Sequence, residues 1–443
     1  MSQSILFLEN DDCLMLNSVE SRPTMHSNII FYLLIYYISL PFIEAPIRYY
    51  LVEYEIPWAI YSRDILVVLI VSWFILKTFI ISNDSKILYI LIGLLVLHSI
   101  IGLIYLPDPY MVLFGWKTFL PVLVGVGSYY VFIENLNKMR WVFLVLFSIL
   151  FVGIFINYFI EFPWEGLTYA LDNFQIEATR EDITFGIKRL AGFSRTHVEA
   201  AIQMLWLIVF LIVHIKNRFI KISVWLLGGL VIIFTTSKGI ILSYLLISIL
   251  LILYKLDYRM ISYYKVYRKL LLSLLITGIL LPIITYVNIL VIDLKLNDDL
   301  NKMMFTSFTM RIYDLWPEAI ELILDHGNIL LGRGLGGIGT SQIFFETYLY
   351  NPVDNIFLFL YANFGLLGGL YLIYLYYKGR LLKLNEDLYF CLLLLFIFQY
   401  GITTSLFDDY LISLCIGFLL MHFNNARLRL EYQTQLAKIN NQI

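Results

Sequence analysis

Charged side chains are scarce in this 443-residue chain, at 14%, while 60% of the residues are hydrophobic. Soluble domains carry about a quarter charged residues, so an ordinary globular enzyme is excluded. Cysteine is scarcer still, with three in all. Cys13 lies in a polar N-terminal stretch, whereas Cys391 and Cys415 lie in apolar runs, so no disulfide is expected. Six histidines form no cluster, and the paired acids Glu181–Asp182, Asp298–Asp299 and Asp408–Asp409 lack the Asp-x-Asp spacing of metal-diphosphate sites. These acids read as solvated loop residues, and no metal is expected. A net charge of −2 excludes nucleic acid as an electrostatic partner. The first 24 residues carry acids where a signal peptide has a basic start, so they read as a retained cytoplasmic tail. There is no lipidation signal and no internal repeat.

Long apolar runs are abundant. They fall at about 28–46, 57–81, 87–105, 112–133, 141–160, 196–215, 222–237, 239–254, 270–292, 354–376, 387–404 and 410–422. A helix needs about 20 apolar residues to cross about 30 Å of hydrocarbon, and runs this continuous exclude barrel strands. The expectation is an all-α, polytopic transmembrane helix bundle of about 12 spans. One transmembrane domain over 28–422 would carry the site, between cytoplasmic tails at 1–27 and 423–443. Basic residues in the short loops, most clearly Lys255 to Lys269, put both termini inside. Aromatic residues reach 17%, which suits interface crossings and sugar-facing surfaces alike.

Two long segments stay outside the lipid, at about 161–195 and 293–353. In the second, Ile312, Leu315, Trp316, Ala319, Ile320 and Ile323 recur at helical spacing and predict an amphipathic helix on the membrane surface. Gly332, Gly334, Gly336, Gly337 and Gly339 would then break it and let backbone approach a ligand or another helix.

Charges near a bilayer are costly, so each that occurs invites a function. Arg63 and Asp64 are expected to pair with each other or to serve a site; Lys117 either snorkels to the interface or joins it. On the predicted topology Arg63, Lys117, Arg189, Arg195, Lys238, Arg311 and Arg333 share the outer half. Together they would form a cationic pocket suited to a diphosphate, unless they pair with loop acids such as Glu181, Asp182, Asp314 and Glu318. His197, His326, Glu199 and Asp354 are the outer candidates for a general base. His326 is also placed to cap a helix C-terminus. Asp354, beside Asn355, is placed either to act as base or to N-cap the next span.

Four segments carry a resemblance: RLAGFSRTHVEAA (Arg189 to Ala201), TTSKG (Thr235 to Gly239), RIYDLWPEAI followed by LLGRGLGGIG, and VDNIFLFLYANFGLLGG from Val353. In this order and topology the chain resembles the bacterial O-antigen polymerase and O-antigen ligase superfamily over about residues 60 to 420. Lys238 stands where the family's Ser-Arg-Gly turn has Arg, which keeps the charge and loses bidentate geometry. Lys117 also stands where related proteins often carry Arg. Asp354 stands where ligases have His, which favours polymerase over ligase.

The resemblance implies a metal-independent membrane glycosyltransferase with no cofactor. It would polymerise surface polysaccharide (O-antigen, capsule or exopolysaccharide) on the outer face of the bacterial cytoplasmic membrane. Its substrates would be undecaprenyl-diphosphate-linked glycans, with flippase and chain-length regulator proteins as partners. Asp354 would be the base, and Arg189, Arg195, Lys238 and Arg311 would stabilise the departing diphosphate. Arg63, Lys117, Arg333 and Asn355 would contact substrate, and Trp316 would stack on sugar. The competing readings are an O-antigen ligase acting on lipid A core, a flippase or transporter, and a non-enzymatic scaffold of a capsule assembly.

Overall fold

Eighteen α-helices and two short β-hairpins run through the described part of the computed structural model, which covers residues 25–81, 86–171, 174–184, 186–256, 263–287 and 299–441. The N-terminal stretch with Cys13 and the Asp298 half of one acid pair lie outside the described residues. The chain begins with α1 (Met25–Ser39), α2 (Glu44–Glu53), α3 (Ser62–Ile81), α4 (Lys86–Tyr105), α5 (Tyr110–Glu134) and α6 (Leu136–Phe159). The first long loop then folds into antiparallel hairpins, β1 (Thr168–Leu171) with β2 (Phe174–Glu177) and β3 (Asp182–Thr184) with β4 (Ile187–Arg189). This is a small departure from the all-α expectation.

Four helices follow: α7 (His197–His214), α8 (Arg218–Phe234), α9 (Lys238–Leu256) and α10 (Tyr263–Tyr286). The second long loop contains α11 (Asp299–Met310), a π-helical turn over Arg311–Leu315, α12 (Trp316–His326) and α13 (Thr340–Phe345). The chain ends with α14 (Ile356–Phe364), α15 (Leu366–Gly379), α16 (Leu384–Tyr400), α17 (Tyr410–Asn424) and α18 (Ala426–Asn441).

Over their described residues all twelve apolar runs are mainly helical, and among the described residues seven segments are long and apolar enough to cross a membrane, or eight if the bent pair at the C-terminal end of the described residues forms one span. The seven are Asn28–Glu53, Ile87–Tyr105, Tyr110–Glu134, Leu136–Phe159, His197–His214, Lys238–Lys255 and Tyr263–Tyr286. The run at 354–376 is split at Gly365, whose φ of 57° ends α14 and starts α15. Helices α16 and α17 are 17 and 15 residues long and sit inside the bundle. A helix apolar on every side belongs in a core, and α7, α16 and α17 are buried nearly all round. Helices α4, α6, α8 and α9 instead expose residues such as Leu103, Val145, Leu230 and Leu245 on an outer apolar face. The protein is membrane-embedded.

Helices α5 and α17 touch backbone to backbone. A Cβ added at Gly125 would overlap the Leu414 carbonyl, and one added at Gly417 would overlap the Val122 carbonyl. Small residues drive such packing in lipid, where apolar side chains gain nothing by leaving the solvent. Helix α18 occupies the predicted C-terminal tail and is docked. Arg429 grips Asp387 of α16 through two nitrogens, and Asp387 also accepts from His422 at 3.1 Å. The Tyr432 hydroxyl meets His214 Nε2 at 3.2 Å.

Candidate functional site

The π-turn at Arg311 is where the site begins. Pro317 has no N–H to return to the Tyr313 carbonyl, so the helix widens by one residue and the Trp316 N–H bonds Arg311 O instead. The widened turn presents Arg311 to one side and sends Trp316 into the core, where it is fully buried and edge-on to Phe308. Helix α12 packs against α10 and α14, and the π-turn joins it to α11.

Arg311 Nη2 lies 2.8 Å from Asp354 Oδ2, and Nη1 donates to the Ser307 hydroxyl at 2.6 Å. Its Nε is buried with no hydrogen-bond partner among the described residues. Asp354 sits in left-handed backbone, φ 34°, directly after Val353 at φ 65°. Asp tolerates that region because its short side chain bonds locally. Burial pushes the Asp354 carboxyl above the usual carboxylate range, against the opposing pull of Arg311, with Asp408 adding to the rise. Asp354 does not cap α14. Asn355 does, accepting from the Leu358 N–H at 3.0 Å, while its amide donates to the carbonyls of Gly278 and Ile402.

The first long loop supplies the facing wall. Arg189 Nη1 is 3.3 Å from His197 Nε2, and His197 Nδ1 is 2.7 Å from Asp182. Burial works against the Asp182 charge, yet the His197 hydrogen bond and the charges of His197, Arg180 and Arg189 hold its pKa below the ordinary value. Arg189 and Arg311 are the two cations acting on Lys238 at the start of α9. Tyr350 feels Asp354 from its own loop and Arg180 from the other. Lys238 is thus within electrostatic reach of both Arg189 and Arg311, and Arg311 is the partner of Asp354.

The remaining predicted cations go elsewhere. Arg63 reaches Glu44 at 3.2 Å and stacks over the Tyr410 ring, and its contact to Asp64 is looser at 3.6 Å. Lys117 meets Asp64 at 3.0 Å, so it ties α5 to α3. Arg195 acts on Glu44 and Glu199. Glu44 also pairs with Arg48 at 2.6 Å, one helical turn on. These residues form a second, largely ion-paired cluster. Tyr400 is within electrostatic reach of Arg311, Asp354 and Asp409.

Three expected substrate contacts have structural positions. Arg333 is buried, forked onto Glu346 at 2.8 and 3.0 Å, and donates to the carbonyls of Gly337 and His326. Around it, Gly334 and Gly336 press their backbones onto Gly102 of α4 and Met111 of α5, so the glycine-rich turn meets helices there. Asn355 is occupied as the cap, and the Trp316 ring has no exposed face for a sugar. The paired acids also serve the fold: Asp408 accepts from Thr340 and Ser405, and Asp409 caps α17.

Glu44, Arg48, Arg180 and Tyr350 were not anticipated. The first two could have been found, because Glu and Arg four apart inside an apolar run are an ion-pair signature. No protein-family model, curated protein or solved structure matches this chain.

Proposed function

We propose that the protein is a membrane glycosyltransferase that joins lipid-diphosphate-linked oligosaccharides into polysaccharide at the end of the bundle carrying both long loops. The observation that carries this reading is Arg311 paired with a carboxylate of raised pKa and within electrostatic reach of Lys238, on which Arg189 also acts, on a bundle whose flanks are apolar. A hydroxyl of one glycan attacks the anomeric carbon of the other, and the anomeric C–O bond to the diphosphate breaks. The polyprenyl diphosphate leaves with the electron pair, and the hydroxyl proton passes to Asp354. The three cations neutralise the charge that grows on the diphosphate, with the unpartnered Arg311 Nε as one donor. Undecaprenyl diphosphate is the carrier implied by the resemblance to the polymerases, and a bacterial cytoplasmic membrane the implied location.

Purified protein given undecaprenyl-diphosphate-linked repeat units, with a chelator present, is expected to yield a ladder of longer glycans. Absence of a ladder, or its loss on adding chelator, would sink this reading. Glycan appearing on a lipid A-core acceptor and on no repeat unit would assign the ligase reaction.

A further inference from the structure

The turn that follows α12 presents three large apolar side chains on a rigid frame. Ile329, Leu330 and Leu331 are all exposed, Leu330 by 61%. Asn328 builds the frame. Its backbone exchanges hydrogen bonds of 2.9 and 2.7 Å with Gly332, and its side-chain oxygen accepts from the Leu330 and Leu331 N–H groups. The Ile329 carbonyl accepts from the Tyr361 hydroxyl at 2.7 Å, and the Leu330 carbonyl from the Leu366 N–H at 3.0 Å. A surface turn in water can leave such groups to solvent, whereas backbone in hydrocarbon has to satisfy them within the protein.

Two helices measure the level of this turn. Helix α15 starts against it at Leu366 and reaches Lys378 at the opposite end of the bundle twelve residues later, a rise of about 18 Å. That is well short of the roughly 30 Å of hydrocarbon a span must cross. Just past the turn, the Leu335 N–H donates at 2.9 Å to the His98 carbonyl of α4, seven residues or about 10 Å below the end of that helix at Tyr105. Helix α15 exposes Leu366, Leu370, Ile373 and Tyr377, spaced four, three and four residues apart, as one apolar stripe. The turn adjoins the first member of that stripe and prolongs it. The acids Glu318, Glu321 and Asp325 on α12 are exposed, so a wet helix gives way to an uncharged tip within four residues.

We propose that residues 329–331 insert among the acyl chains of the leaflet on the side of the long loops. Lipid is the partner because the tip carries no charge, its backbone is satisfied from within, and it continues a stripe that already faces the bilayer. Since α12 joins the tip to the Arg311 turn, this contact sets the level of the second long loop on the membrane. The assignment is independent of the glycosyltransferase reading.

The test places a nitroxide on Leu330→Cys in full-length protein carrying Cys13→Ser, in nanodiscs of phosphatidylethanolamine and phosphatidylglycerol; Cys391 and Cys415 are buried. Electron spin resonance reads collisions with oxygen, which dissolves in hydrocarbon, and with a hydrated nickel chelate, which stays in water. The label at 330 should match one on Leu370→Cys of α15. Its oxygen-to-nickel ratio should stand about tenfold above that of Tyr348→Cys, exposed in the same loop, because hydrated charge enters hydrocarbon poorly. Ile329→Cys carries the same expectation from a second exposed side chain, should the first variant misfold. A ratio equal to that at 348 would put the tip in water, and low rates with both probes would put protein over it. Either result overturns the proposal.

Discussion

Replacing Asp354 with Asn separates chemistry from architecture. The amide keeps the shape of the side chain and, like Asp, tolerates the left-handed backbone at this position, φ 34°. The pair with Arg311 is part-exposed, with 18% and 29% of the two side chains accessible. Pairs of this exposure contribute about 0.2–1 kcal/mol, and Arg311 keeps its Ser307 contacts, so stability should fall by no more than about 1 kcal/mol. The loss of a general base is larger, about 10²- to 10⁴-fold in rate, or about 3–5 kcal/mol of barrier. The assay is initial rate of glycan elongation set against thermal unfolding of the same preparation. Because burial raises the Asp354 pKa, the wild-type rate should fall on the acid side at a pH above the ordinary carboxylate value of about 3.9, as protonation removes the base. Arg311 opposes that rise, so Arg311→Gln should move the acid limb to still higher pH. An Asp354→Asn protein that elongates glycan within threefold of wild type, or a wild-type rate with no acid limb, would remove Asp354 from the chemistry.

Two further perturbations test the architecture. Glu346→Gln leaves the buried Arg333 guanidinium without its counter-charge, which should cost about 3–5 kcal/mol in stability; unchanged unfolding would show Arg333 free to serve a ligand. Gly417→Ala forces a methyl against the Val122 carbonyl and should lower stability by about 1–3 kcal/mol, read by denaturant titration in detergent; wild-type stability would refute the backbone contact between α5 and α17.

Several charged residues stand out in the chain as written. Arg189, Lys238, Arg311 and Asp354 stand out because charge is scarce, and the structure pairs Arg311 with Asp354 and brings Lys238 within electrostatic reach of Arg189 and Arg311. Arg63, Lys117 and Arg195 stand out for the same reason and pair in a neighbouring cluster, because Glu44 and Asp64 lie across from them. Partner choice depends on which helices meet, and periodicity carries no record of that. Arg333 finds its counter-ion, Glu346, thirteen residues away in a loop without regular spacing. Twelve apolar runs yield seven segments fit to cross among the described residues, because α8, α14, α15, α16 and α17 are 17, 9, 14, 17 and 15 residues long, short of a full span.

What the sequence determined by itself was the class. Hydropathy and run length dictate helices in an apolar setting, since backbone groups there have no water to bond and must satisfy one another. It also determined the turns, through Pro317 at the π-turn and Gly365 between α14 and α15. Only the tertiary structure decided which acid each cation meets, as Arg311 meets Asp354 and Arg63 meets Glu44. It also decided that Asn355 caps while Asp354 faces Arg311. The physical reason is range: hydropathy and turn chemistry act within a few residues, whereas an ion pair in a membrane bundle joins side chains whose separation in sequence carries no energy at all.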